Sequence, residues 1–126
     1  MNENEIAKIV FDSSLAVHKE LGPGLLESAY EECLSYLLRK RELFIERQKP
    51  LPLVFEEAKL EVGYRVDILI ERKFIVEVKS VEALNDIHMA QILTYLRLSD
   101  CKLGLLINFN TVLLRDGVRR IINGTL

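Results

Sequence analysis

The segment Tyr64-Arg-Val-Asp-Ile-Leu-Ile-Glu-Arg-Lys-Phe-Ile-Val-Glu-Val-Lys79 constrains this chain more than any other stretch. It reads as two β-branched, apolar strands around a charged turn. Side chains alternate along a strand, so Glu77 and Lys79 share one face while Val76 and Val78 point the other way. With the hairpin centred on Arg72, Asp67 falls opposite Glu77. Cross-strand Cβ atoms approach to about 5 Å, close enough for both carboxylates to hold one cation. Two acids and a lysine are costly to bury in an apolar hairpin unless something compensates them. A metal ion would do so. The plain alternative is a surface hairpin with a cross-strand ion pair, the usual meaning of a lone Glu-x-Lys. The upstream aspartate with apolar neighbours favours a site.

Around this hairpin the hydrophobic period changes twice. Ile6, Ile9, Val10, Ser13/Leu15 and Val17 predict a helix over 4–21, ended by Gly22-Pro23-Gly24. A second helix is expected over 25–42, with Leu26, Ala29, Tyr30, Cys33, Leu34, Leu37 and Leu38 as its inner stripe. Phe44–Gln48 and Leu53–Glu57 read as strand material interrupted by Pro50 and Pro52, which suits an edge strand. The hairpin strands follow over 60–71 and 73–81. A third helix is expected over 85–98, with Asn85 or Asp86 at its cap. A late strand pair is expected over 102–108 and 112–115, turning at Phe109-Asn110-Thr111, and the tail Ile121-Ile-Asn-Gly closes the domain. The order helix, helix, three strands, helix, two strands predicts one α/β domain over 1–126, a mixed central β-sheet flanked by helices.

Bulk properties narrow the function. At 126 residues, with 49% hydrophobic and 29% charged residues, the chain is expected to be globular. Its net charge of -2 and pI near 5.7 provide no global attraction to nucleic acid, so an anionic partner must meet a local basic patch. Cys33 and Cys101 lack metal or disulfide spacing, which fits a reducing compartment. The N-terminus has no basic-plus-apolar leader pattern, and Leu103–Phe109 is too short to span a bilayer. A cytoplasmic protein without membrane attachment is expected.

Further chemistry-bearing residues lie outside the hairpin. Glu27 stands in the first turn of the second helix, with Tyr30 one turn later on nearly the same face. Taken alone, they read as a dipole-stabilised acid and a core tyrosine. On the third helix, His88, Gln91 and Tyr95 share a face and could hydrogen-bond phosphate or sugar oxygens; for His88, a polar group satisfied by local backbone is the stronger reading. No His-x-x-x-His pair, phosphate-binding loop, dinucleotide turn or nucleophile elbow is present. Zinc-hydrolase, nucleotide-hydrolysing and serine-hydrolase chemistry lose support.

Asp67 followed by Glu77-x-Lys79 on the next strand resembles the PD-(D/E)xK nuclease superfamily. Gln91-x-x-x-Tyr95 resembles the helix motif of its exonuclease-like branch, and Gly24-x-x-Glu27-x-x-Tyr30 matches the segment that names the GxxExxY family. The resemblance covers nearly the whole chain. Val66 departs from it, standing where the superfamily name places proline. The resemblance implies a restriction-endonuclease-like core and a Mg²⁺ (or Mn²⁺) site formed by Asp67, Glu77 and the Val78 carbonyl, with Glu27 approaching directly or through water. Lys79 would be the catalytic lysine, while Gln91, Tyr95 and Tyr30 would border the substrate.

The expected function is therefore metal-dependent phosphodiester hydrolysis of DNA, with RNA as the alternative substrate. Arg65, across from Lys79 in the register above, and Arg47 and Lys49 on the preceding strand would contact phosphate. Binding would be salt-sensitive unless a partner protein added affinity. The rival is a non-catalytic nuclease-like interaction or dimerisation module. A homodimer would cover an apolar patch on a domain of mean hydropathy +0.13.

Overall fold

A computed structural model describes every residue from Met1 to Leu126. Helices α1 (Glu3–Leu21) and α2 (Glu27–Lys40) precede strands β1 (Ile45–Phe55), β2 (Ala58–Ile70) and β3 (Phe74–Lys79). Helix α3 (Asp86–Ser99) follows, then β4 (Leu103–Asn108), a short 3₁₀ turn (Leu114–Gly117) and β5 (Val118–Ile122). The sheet order is β1-β2-β3-β4-β5; only β3 and β4 run parallel, with α3 as their crossover. The expected α/β architecture, a mixed sheet flanked by helices, is the one observed.

Alternation along the strands divides the core into two layers. Phe74, Val76 and Val78 of β3 join Leu103, Leu105 and Ile107 of β4 against Ile6, Val10, Tyr30, Leu34 and Leu38 of α1 and α2. Ile75 and Leu106 face the other way, against Ile92, Tyr95 and Leu96 of α3. Glu77 and Lys79 share the parity of Ile75 and so continue the α3 face. The close seating of α3 depends on Gly104. A Cβ there would stand 2.8 Å from the Ile75 carbonyl oxygen and 3.2 Å from Ile92 Cδ1. Gly104→Ala is expected to lower stability by about 1–3 kcal/mol, measured by urea unfolding.

Local chemistry explains the helix limits. Asn2 and Glu5 form a reciprocal capping box on α1, and Gly22 ends it at φ +68°. Asn85 caps α3, as expected. Two expectations need correction. Leu26 is not part of the inner stripe of α2: it is 76% exposed, because the helix starts at Glu27 and Leu26 is its N-cap, in extended backbone. The late hairpin does not pair 102–108 with 112–115. Val112 is 88% exposed, and β4 pairs instead with β5, from Leu103↔Ile122 to Ile107↔Val118. Arg119 and Arg120 obscure the strand pattern of β5, yet an edge strand accommodates such charge readily. β1 is a single edge strand containing both prolines, with a register irregularity between Leu51 and Leu53. No helix is long and apolar enough to cross a membrane.

Candidate active site

The β2–β3 ladder ends at Ile68↔Val76, one step short of Asp67 and Glu77. Beyond that step, side chains replace the backbone ladder. The Asp67 N–H donates to Glu77 Oε2 at 2.8 Å, and the Val78 N–H donates to Asp67 Oδ2 at 2.8 Å. Each acid is thus tied to the opposite strand through one oxygen; Glu77 Oε1 has no hydrogen-bond donor, while Asp67 Oδ1 accepts from the Gln48 amide at 3.2 Å. Asp67 and Glu77 lie across from each other as the hairpin register predicts.

Glu77 is only 4% exposed. Burial, then the Asp67 charge, pushes its carboxyl up to about 8. Burial also raises Asp67, against the Val78 N–H, the Gln48 amide and the Lys79 ammonium. Lys79 is half-buried at the end of β3 and opposes the rise of both acids. The protein therefore holds two carboxylates together at an energetic cost that a cation would remove.

The second helix delivers Glu27. Gly24, at φ +96°, permits the turn before α2. The Tyr30 hydroxyl locks that turn by donating to the Gly22 carbonyl at 2.6 Å and accepting from the Leu25 N–H at 3.1 Å. Ser80, just after Lys79, donates its hydroxyl to the Leu25 carbonyl at 2.6 Å and its N–H to Glu27 Oε2 at 3.2 Å. Glycine, glutamate and tyrosine of Gly24-x-x-Glu27-x-x-Tyr30 thus supply the bend, the acid and the lock. Tyr30 itself is fully buried and stacks on Phe109 at 4.5 Å, so the substrate contact expected of it has no surface to use. Tyr30→Phe should lower stability by about 1–3 kcal/mol by leaving the Leu25 N–H and Gly22 carbonyl without their partner, readable by thermal unfolding.

Tyr95 borders the acids from α3. Burial, then Glu77 and Asp67, raises its phenol above the ordinary value, and the neighbouring Gln91 acts in the opposite direction. His88 is engaged within its own helix turn. Its Nδ1 accepts the Asn85 N–H at 3.2 Å and completes the capping box of α3. Arg65 does not stand across from Lys79, because β2 leaves β3 at Ile68 and continues with β1 alone. It is exposed and donates to the Gln48 carbonyl at 3.3 Å. Arg47 is occupied by Glu31 (2.9 Å) and Glu32 (2.6 Å), so the phosphate role expected of it is taken by ion pairs. Lys49 pairs with Glu46 at 2.9 Å.

Three site residues escaped the sequence reading. Glu31 is 6% exposed and linked through Gln48 to Asp67, with 2.9 Å and 3.2 Å hydrogen bonds from the Gln48 amide. Burial raises its carboxyl, Arg47 opposes the rise, and Asp67 adds to it. The signal was its position four residues after Glu27: like charges at that spacing repel unless cations or donors lie nearby. Tyr64 approaches Tyr95 with ring centroids 6.1 Å apart. Gln48 left no sequence signal.

No three His, Cys, Asp or Glu side chains form a closed metal cage. Mg²⁺ does not need one, since it keeps most of its waters and takes one or two protein carboxylates. The hard-oxygen donors Asp67 and Glu77, one of them deeply buried, fit that requirement. This arrangement defines the chain as an α/β protein with a paired-carboxylate and lysine centre at the split of its sheet. It belongs to the PD-(D/E)XK nuclease superfamily, whose family model matches residues 4–121. The five-stranded mixed sheet is consistent with the restriction-endonuclease-like core of that superfamily. No curated protein and no solved structure gives a significant match.

Proposed function

We propose that this chain is a Mg²⁺- or Mn²⁺-dependent nuclease of the GxxExxY type that hydrolyses phosphodiester bonds of DNA. The observation that carries the reading is the buried Glu77 carboxyl beside Asp67, with Lys79 at their edge. Superfamily membership supports the same reaction class. Asp67, Glu77 and the Val78 carbonyl would hold the cation, with Glu27 reaching it directly or through water. The cation, when bound, would polarise the scissile phosphate and lower the pKa of the attacking water. Lys79 would orient that water and balance charge developing on the phosphate. Gln91 and Tyr95 would border the substrate, and exposed Arg65 would meet its backbone. With a net charge of -2 and Arg47 engaged elsewhere, binding is expected to be weak, and salt-sensitive where the remaining cations meet phosphate, with a partner protein adding affinity.

The test is incubation of purified protein with linear, circular and single-stranded DNA, and with RNA, in Mg²⁺ or Mn²⁺. Metal-dependent cleavage of DNA that disappears in Glu77→Ala and falls by about 10²-fold or more in Lys79→Ala is expected. Cleavage that survives both substitutions would overturn the site assignment. Absence of both cleavage and calorimetric metal binding would favour the non-catalytic interaction module.

A further inference from the structure

Gln48 interrupts β1 directly opposite Asp67. On either side of it the ladder keeps one register, Arg47↔Ile68 and Lys49↔Val66, but Gln48 itself is unpaired. Its φ is +51°. A non-glycine residue in this region costs on the order of 1–3 kcal/mol, and glutamine is not among the residue types enriched there. Such a conformation persists only where its surroundings hold it.

Three groups hold Gln48. Its Nε2 donates to Glu31 Oε1 at 2.9 Å and to Asp67 Oδ1 at 3.2 Å. Its carbonyl, left out of the ladder, accepts from Arg65 Nη1 at 3.3 Å. Glu31 is anchored in turn by Arg47 Nε and Nη2, at 3.1 and 2.9 Å. The Val78 N–H already holds Asp67 Oδ2, so Gln48 completes the restraint on the second oxygen of the aspartate. A single amide nitrogen with two hydrogens is what the gap between two carboxylates requires. A glutamate there would add a third negative charge, and an asparagine would lack the reach.

We propose that Gln48 is a positioning residue: its strained backbone aims one amide between Glu31 and Asp67, setting the Asp67 carboxylate for cation binding. This inference rests on the nuclease reading above. Groups that orient metal ligands typically contribute 10–100-fold to metal affinity or activity. The strain would then serve the site rather than the fold.

The experiment compares Gln48→Gly, Gln48→Asn and Gln48→Glu with wild type and with Asp67→Ala and Glu77→Ala. Mn²⁺ binding is read by calorimetry, metal-free stability by thermal unfolding, and kcat and KM by DNA cleavage. Gln48→Gly relieves the positive φ while deleting the amide, so it is expected to melt at or near the wild-type temperature. Its Mn²⁺ affinity and kcat are expected to fall about 10–100-fold with KM for DNA unchanged. Gln48→Asn, which tolerates the backbone but falls short, and the isosteric Gln48→Glu should lose affinity similarly. Should any of these variants fold and keep wild-type Mn²⁺ affinity while Asp67→Ala and Glu77→Ala lose it, the role of Gln48 is overturned and the metal site stands. Should Asp67→Ala and Glu77→Ala bind Mn²⁺ as wild type does, the metal site and the role of Gln48 fall together.

Discussion

Raising the pH of the metal-free protein from 5 to 8 is expected to lower its melting temperature by roughly 10 °C, and Glu77→Gln should remove most of that loss. Burial and Asp67 place the Glu77 carboxyl at about 8 in the folded chain, against 4.5 for the ordinary group. Between those values the folded state holds a proton that the unfolded state has released. Stability therefore falls as pH rises, by about 1.4 kcal/mol per pH unit for one such group. The contribution is largest below the unfolded value and is lost on approach to the folded one. Asp67 and Glu31 are also raised, so they act with the same sign. Glutamine at 77 keeps the shape and can still accept the Asp67 N–H, but it never ionises. At pH 8, Mg²⁺ should restore the wild-type melting temperature and leave Glu77→Gln unchanged. Equal pH profiles for the two proteins in differential scanning calorimetry would show that Glu77 does not carry this strain.

Lys79→Ala is expected to reduce DNA cleavage by about 10²–10⁴-fold while preserving calorimetric Mn²⁺ binding. The ammonium stands close enough to Asp67 and Glu77 to oppose the pKa rise of both, yet it offers no lone pair to a cation when protonated. Its loss should therefore fall on kcat. Lys79→Arg keeps the charge but replaces a compact ammonium by a broad planar fork, and should recover only part of the rate. Glu77→Gln, by contrast, should lose cation binding and cleavage together. Loss of Mn²⁺ binding in Lys79→Ala equal to that in Glu77→Gln would mean that the lysine organises the acids instead of acting on substrate. Steady-state kinetics beside calorimetry separates the two outcomes.

The element order was legible because helical and strand periods differ and because Gly22-Pro23-Gly24 punctuates the chain. The pairing of β4 was not. Val112-Leu113-Leu114 looks more strand-like than Val118-Arg-Arg-Ile-Ile122, but Leu114–Gly117 winds into a 3₁₀ turn that delays the returning strand to Val118. Asp67 opposite Glu77 followed from hairpin symmetry alone. Arg65 did not follow it, since its position depended on the strands staying paired beyond the point where they part.

What the sequence by itself determined was the period of each element and the spacing of Asp67, Glu77 and Lys79, because both follow from local backbone geometry. Tertiary structure decided how each charge is used. It gave Arg47 to Glu31 and Glu32, sealed Tyr30 into the core, and brought Glu31 through Gln48 to Asp67. A side chain's partners are set by segments distant in sequence, and a glutamine held at φ +51° records contacts that no local preference encodes.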